Sequence, residues 1–278
     1  LAAITTGEKV VRERILPGAI LVRIANSHIR VGTFQYFAAR QMTKEIKILA
    51  DYIIERHFEL SLSSKNIYEK FLMEIIKSQA NLISKWMSAG FIHGVMNTDN
   101  TCLSGETIDY GPCAFLDNFD YNKVFSSIDY QGRYSYKNQP NIILWNLTRF
   151  AETILPLIDN NLNKSIKKAE EILNEFASIY ESNWISIMGY KLGIDEANKT
   201  DKNLIEEFLT LMQNQQLDFT NSFYSLSFLI EKDQIEKEGP PKSHKIYSKI
   251  KSSDWYAKWT KRLNINKKNL KKILKTLL

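Results

Sequence analysis

One stretch of the sequence, FIHGVMNTDNTCLSGETIDYGPCAFLD at residues 91–117, restricts the fold more than any other. It gathers a His, an Asp-Asn pair and an Asp-Tyr-Gly triplet between apolar residues, and three glycines interrupt it. Glycine permits the tight turns that such a polar segment needs inside an apolar framework. The stretch therefore predicts a loop, a turn and a second loop that together hold a metal ion and a phosphate.

Asn100 and Asp109 are the candidate metal ligands of this stretch, nine residues apart on its two loops. Amide and carboxylate oxygens are hard ligands that suit Mg²⁺ or Mn²⁺. Magnesium sites usually take few ligands from the protein and complete the shell with phosphate and water. Asp99, next to Asn100, is placed to accept a proton from an attacking hydroxyl.

The rest of the chain predicts a mostly α fold with a small β element. Residues 10–24 hold two β-rich runs split by Pro17-Gly18, which predicts a hairpin that turns at this dipeptide. Residues 118–140 predict a long ordered loop of a kind that is often functional. Apolar residues recur at helical spacing from Thr43, and then at residues 64–89, 141–158, 162–180, 184–192, 201–213 and 221–230.

Charge is distributed unevenly. The formal net charge is +6, but residues 242–278 contain 12 basic residues and one acid, which gives +11 and leaves −5 for residues 1–241. The acidic body argues against specific nucleic-acid binding, and the tail is most simply a solvated basic helix surface. No apolar run approaches the roughly 20 residues of a membrane span. Two cysteines without a CxxC spacing predict a reduced, cytoplasmic protein.

The central stretch also has the spacing of a protein-kinase active site. His93 and Asn100 are seven residues apart, as in H-R-D-L-x-x-x-N, and Asp109-Tyr110-Gly111 stands where D-F-G would follow. The position of the kinase base is Val95, which cannot accept a proton. The pattern disfavours a kinase and indicates a pseudokinase, or a kinase fold that performs another transfer. For an isolated D-Y-G, a loop whose Asp only caps a turn would be the better explanation.

Arg23 and Arg30 lie in the segment VRIANSHIRVGTF. Two isolated arginines usually lie at the surface without a function. A guanidinium group also offers a planar set of donors that matches a phosphate. The residues by themselves leave both interpretations open.

At these residues the sequence resembles the selenoprotein O family, which are protein adenylyltransferases with a pseudokinase fold. The resemblance is carried by GAILVRIANSHIRVGTF, GFIHGVMNTDNTCLSGETIDYGPCAFLD and QGRYSYKNQPNIILWNL. It implies the C-terminal lobe of a protein-kinase-like fold. It also implies transfer of AMP from ATP to Ser, Thr or Tyr hydroxyls of proteins, with release of pyrophosphate.

The resemblance assigns a role to each candidate residue. Asp99 matches the proton acceptor of the family, and Asn100 and Asp109 match its ligands for Mg²⁺ or Mn²⁺, with Asp109 also near the nucleotide. Arg23 and Arg30 match two arginines that hold the phosphates of ATP. The implied partners are ATP and proteins that carry free hydroxyls.

The resemblance is incomplete at both ends. Family members have an N-terminal nucleotide lobe with a glycine-bearing phosphate loop, whereas 22 residues precede Arg23 here and contain no such loop. Some members finish with a redox-active Cys or selenocysteine, whereas this chain ends in Thr-Leu-Leu. We therefore expect a fragment with a kinase-like core at residues 1–238 and a basic helical segment at residues 239–278. The alternative is an inactive truncated pseudokinase that acts at most as a binding module.

Overall fold

The computed structural model describes residues 2–11, 14–230 and 241–263. These residues are mostly α-helical with small antiparallel sheets, which confirms the predicted fold class at that level. In chain order, the strands and helices are β1 (Ala2–Val11), β2 (Ile15–Val22), α1 (Val31–Ala38), α2 (Thr43–His57), α3 (Ile67–Ala89), β3 (Phe91–Ile92), β4 (Ala114–Phe115), α4 (Gln139–Ile158), α5 (Leu162–Lys191), α6 (Lys202–Gln215), α7 (Phe219–Ile230), α8 (Pro241–Lys251) and α9 (Asp254–Leu263).

The predicted hairpin is present, but the prediction of its turn at Pro17-Gly18 is wrong. β1 pairs antiparallel with β2, and Val11 lies opposite Ile15, so the connection falls between these two residues. Pro17-Gly18 lies inside β2, close to a shift of register between Thr5 and Lys9 of β1. A proline cannot donate to a ladder, but a two-stranded hairpin has open edges where it is tolerated.

The first helices follow the prediction closely. α2 begins at Thr43, where the helical spacing starts, and its N-cap is Met42. α3 begins at Ile67 instead of Ser64. It ends at Ala89 and is capped by Gly90, whose left-handed φ of 69° is the conformation expected of a terminating glycine.

The helices predicted separately at residues 162–180 and 184–192 are one continuous helix, α5. Residues 181–183 include no glycine or proline, so their helix propensity is only slightly unfavourable. Trp184 and Met188 are buried directly after them. Tertiary packing therefore decides the conformation of this junction.

α3, α4 and α5 pack together at the centre of the core. Phe150 of α4 meets Phe34 of α1 and Phe71 of α3 edge to face, with ring centroids 5.0 Å and 5.7 Å away. Within the described ranges, no helix has the length and apolarity needed to cross a bilayer.

The basic C-terminal segment is described as far as residue 263, and its two helices pack on α6 and α7. Trp255 stacks on Phe208 of α6 with ring centroids 4.3 Å apart. The Trp259 indole N–H donates to the Leu192 carbonyl at 2.8 Å. The rest of the basic helical segment predicted at residues 239–278, from residue 264 onward, lies outside the described residues.

Candidate active site

The central stretch leaves the core and returns to it through a small sheet. α3 ends at Ala89, and β3 pairs antiparallel with β4, with Phe91 opposite Phe115. A side chain at Gly90 would collide with the ring of Phe219, so this position needs glycine for space as well as for its φ angle. The residues between β3 and β4 are thus one excursion whose two ends meet.

His93 joins the two loops of this excursion. Its imidazole is fully buried, with Nε2 2.7 Å from the Ile108 carbonyl oxygen, and Nδ1 accepts the Val95 N–H at 3.3 Å. Burial lowers the pKa of His93, although the Ile108 carbonyl and the Asp109 carboxylate favour the charged form. A neutral ring protonated at Nε2 satisfies both contacts. His93 therefore fixes the backbone directly before Asp109.

Asn100 is oriented by its own loop. Its side-chain NH₂ donates to the Val95 carbonyl at 3.0 Å. Its backbone N–H donates to Oδ1 of Asn97, also at 3.0 Å, which caps a short 3₁₀ turn at Thr98–Asn100. Because the NH₂ group is directed at Val95, the side-chain oxygen is the atom that remains for a cation.

Two buried amides of α4 hold this loop, and the sequence interpretation missed both. Oε1 of Gln139 accepts the His93 N–H at 3.0 Å, and its Nε2 donates to the Phe91 carbonyl at 2.9 Å. Asn146 donates to the Met96 carbonyl at 3.0 Å. The available signal was a pair of amides seven residues apart on the apolar face of one helix.

The segment that carries the arginines runs beside the same loop. Residues 29–31 pair with residues 101–103 through two backbone hydrogen bonds of 3.0 Å each, which brings Arg30 next to the site. The Glu106 carboxylate accepts the Asn26 N–H at 2.9 Å and so fastens the segment at a second point.

Arg23 extends over the ring of Tyr110, with its guanidinium carbon 5.3 Å from the ring centroid. Its Nη1 atom is buried and has no hydrogen-bond partner among the described residues. Leaving a charged donor buried and unpaired is costly, and an anion would remove that cost. Arg23 is therefore held in a position that suits a phosphate.

A cleft of about 520 Å³ brings these parts together. Four predicted residues line it: Arg23 and Arg30 from one segment, and Asn100 and Asp109 from the two loops. Asp109 has a φ of 58°, an uncommon backbone conformation that Asp tolerates better than most residues. The cleft is also lined by residues that the sequence interpretation did not select, namely His28, Thr107 and Tyr110.

Asp99 is not part of the cleft lining. Its side chain is exposed and lies against Gly32 in the first turn of α1, where any side chain would collide with the carboxylate. The free N–H groups of a first helical turn favour a negative charge there. The predicted proton acceptor thus sits beside Asn100 in sequence, at the edge of the site rather than inside it.

A sequence model of the family described as protein adenylyltransferase SelO matches residues 1–278. The chain belongs to the SelO family. It is similar to the protein nucleotidyltransferase YdiU of Clostridium perfringens, with 51% identity over 263 residues that cover 95% of this chain and 52% of the relative. YdiU of Clostridium beijerinckii is 50% identical over 269 residues, or 97% and 53% of the two chains. The chain spans about half the length of the curated relatives it matches.

The divalent cation predicted from the sequence can be compared with the cleft, whose residues fit one. Asn100 offers a free amide oxygen and Asp109 an exposed carboxylate to the same space. Nowhere in the described part of the chain do three or more His, Cys, Asp or Glu side chains form a group that could hold a metal by themselves. Mg²⁺ commonly needs only one or two carboxylates when phosphates supply other ligands. This donor set therefore suits a cation that binds together with a nucleotide.

Proposed function

We propose that this chain carries the catalytic face of a protein adenylyltransferase, which transfers AMP from ATP to Ser, Thr or Tyr hydroxyls of proteins and releases pyrophosphate. The observation that carries the proposal is the cleft itself. It sets the unpaired guanidinium of Arg23, together with Arg30, in the same space as the oxygen ligands Asn100 and Asp109. A polyphosphate with its cation needs donors of both kinds.

The roles of the side chains follow from their chemistry. Arg23 and Arg30 bind phosphate oxygens, and Asn100 and Asp109 hold Mg²⁺ or Mn²⁺. When bound, the cation would neutralise charge on the phosphates. The acceptor hydroxyl oxygen forms the bond to the α-phosphorus, the bond from that phosphorus to pyrophosphate breaks, and the hydroxyl proton passes to the carboxylate of Asp99. The exposure of Asp99 suits this role, because a protein hydroxyl must reach it from outside.

We also propose that the fold is the helical lobe of a protein-kinase-like domain, with residues 1–238 as its core and residues 239–278 as a basic segment. The contacts of Val95, which stands where a kinase has its base, support this. Its N–H donates to His93 and its carbonyl accepts from Asn100. Both of these contacts are made by the backbone of Val95. The proposal places the reaction in the cytoplasm, since Cys102 and Cys113 are both free thiols.

The choice of phosphate that is transferred tests the proposal. Incubation of the chain with a protein mixture, Mn²⁺ and ATP labelled at the α-phosphate should label protein, whereas ATP labelled at the γ-phosphate should not. Label from the γ-phosphate alone would identify a kinase and overturn the proposal.

Asp99→Ala should abolish labelling while leaving ATP affinity nearly unchanged, because a base acts in the transition state. Gly32→Ala should also slow labelling, because its methyl group displaces the Asp99 carboxylate without removing it. Asp254→Ala is the matched control, since Asp254 is an exposed acid in the first turn of another helix. A large loss of ATP affinity in Asp99→Ala would make Asp99 a ligand instead of a base.

One observation favours a second candidate, a module that binds a nucleotide without transferring it. Asp99 lies outside the cleft lining. This candidate predicts calorimetric binding of ATP with Mn²⁺, lost in Asp109→Ala, and no transfer of either label.

A further inference from the structure

The loop between β4 and α4 presents apolar side chains on a rigid support. The Asp129 carboxylate accepts the backbone N–H groups of Arg133 at 2.9 Å and Tyr134 at 2.8 Å, which closes a tight turn. On this turn Ile128 is 76% exposed and Tyr130 is 91% exposed. Exposed aromatic residues on a fixed backbone lose little conformational entropy when a partner binds them.

Two arginines extend this surface onto α4. The guanidinium of Arg133 lies 4.9 Å from the ring centroid of Trp145, and that of Arg149 lies 5.6 Å from it. Trp145 remains 41% exposed. Arg149 is paired with Glu152 at 2.6 Å, whereas no carboxylate of the described residues lies within ion-pair distance of the Arg133 guanidinium. Ile128, Tyr130, Arg133, Trp145 and Arg149 are together called the Arg133–Trp145 surface below.

The Arg133–Trp145 surface is built on the same helix as the site loop. Asn146, the residue after Trp145, donates to the carbonyl of Met96 and to the hydroxyl of Thr101 at 2.8 Å. These two residues bracket Asp99 in the sequence. A protein that contacts Trp145 is therefore held by the helix that also positions the proposed proton acceptor.

We propose that the Arg133–Trp145 surface docks an acidic, aromatic-containing segment of the protein whose hydroxyl is modified. Arg133 supplies an unpaired cation for a carboxylate, while Trp145, Tyr130 and Ile128 supply an apolar contact. Trp, Tyr and Arg are the residues that most often dominate binding energy at protein interfaces. Of the two arginines of this surface, Arg149 is paired with Glu152, so Arg133 is the cation that is left for a carboxylate of the partner. This inference rests on the proposed function for the identity of its partner.

Binding of a random copolymer of Glu and Tyr tests the surface without any transfer step. Fluorescence polarisation should show saturable binding of the labelled Glu–Tyr copolymer and much weaker binding of a Lys–Tyr copolymer. Arg133→Glu should weaken binding about tenfold and Trp145→Ala severalfold, as expected for central contacts of an interface. Lys251→Glu is the matched control, because Lys251 is an exposed cation over a partly buried aromatic ring elsewhere, 5.5 Å from the centroid of Tyr247.

Three outcomes would overturn the inference: no binding to the parent chain, unchanged binding in both surface variants, or an equal loss in Lys251→Glu. Transfer of α-phosphate label to the same copolymer separates this inference from the proposed function. Binding that depends on Arg133 without any transfer would support the Arg133–Trp145 surface as a binding site and contradict the proposed function. Transfer to the copolymer with a KM that does not change in Arg133→Glu would support the proposed function and overturn the inference about the surface.

Discussion

The loop that carries Asn100 is fixed by buried side chains, whereas the segment that carries Arg23 is fixed mainly by backbone pairing and by contacts near the surface. Gln139 and His93, both fully buried, hold the loop that carries Asn100. The Arg23 segment depends on the backbone pairing of residues 29–31 and on the side chains of Glu106, Arg56 and Cys102, which bond to the backbone of residues 26 and 27. The proposed cation ligands are thus organised before anything binds, while the site of the proposed phosphate-binding arginines would be completed by the ligand itself.

The largest expected effect comes from breaking the anchored loop. Gln139→Leu leaves the His93 N–H and the Phe91 carbonyl buried without partners, and each such group costs about 1–3 kcal/mol. We expect the free energy of unfolding, measured in urea, to fall by about 2–4 kcal/mol. Gln215→Leu, an exposed glutamine at the end of α6, should change it by less than about 0.5 kcal/mol. Equal stabilities of these two variants would show that Gln139 does not anchor the loop.

Substitution of Arg23, on the other segment, should change the affinity for ATP and not the free energy of unfolding. Arg23→Ala removes a charged group whose Nη1 has no hydrogen-bond partner among the described residues, so the folded chain loses little. A charge-assisted hydrogen bond contributes about 1.5–3 kcal/mol, so calorimetry with ATP and Mn²⁺ should show a loss of affinity of about 10- to 100-fold.

Arg40→Ala is the control for Arg23→Ala, because Arg40 also lies over a tyrosine ring, that of Tyr36, but does not line the cleft. It should leave ATP affinity unchanged. Destabilisation of Arg23→Ala comparable to that of Gln139→Leu would erase the contrast between the two sides of the cleft.

The same contrast explains how much of the site the sequence could predict. Asn100 and Asp109, which both line the cleft, could be selected because the proposed role of cation ligand needs specific side chains at a recognisable spacing. Gln139 could not, because its partners are backbone groups, which any sequence possesses. An amide that bonds to backbone leaves no pattern except its own polarity on an apolar helix face.

The hairpin and α5 show the limits of local signals for the fold. Pro17-Gly18 has the sequence of a turn, but its neighbours in β1 determine that it lies within a strand. Residues 181–183 are polar and interrupt the apolar pattern, which predicts a break between two helices. Burial of Trp184 keeps them helical. In both cases the deciding contact comes from residues outside the local window. Strongly periodic segments such as α3 needed no such information.

Lys191 supports the start of the anchored loop and makes it sensitive to pH. Its ammonium group donates to the Ser88 carbonyl near the end of α3 and lies 4.7 Å and 3.9 Å from the ring centroids of Phe219 and Phe223. Burial lowers the pKa of Lys191 to about 8. The unfolded chain, with an ordinary lysine pKa, therefore binds more protons above pH 8, and stability should rise with pH there.

Comparison with Lys191→Met isolates this contribution, since methionine keeps an apolar stem and does not titrate. The free energy of unfolding of the parent, relative to the variant, should increase by about 1 kcal/mol from pH 7 to pH 9. The two phenylalanine rings favour the charged form and oppose the effect of burial. A constant difference across this range would mean that the rings prevail and that Lys191 keeps its proton at pH 9.

The smallest expected effect concerns the ring that supports Arg23. A cation over an exposed aromatic ring contributes about 0.5–1 kcal/mol, so Tyr110→Ala should weaken ATP binding about two- to fivefold. Tyr110→Phe keeps the ring and loses only an exposed hydrogen bond to the Thr107 carbonyl, so its affinity should match that of the parent. If Tyr110→Phe lost as much affinity as Tyr110→Ala, the hydroxyl group and not the ring would position Arg23. The arginine segment would then depend on a specific hydrogen bond, as the anchored loop does, and the two sides of the cleft would differ only in burial.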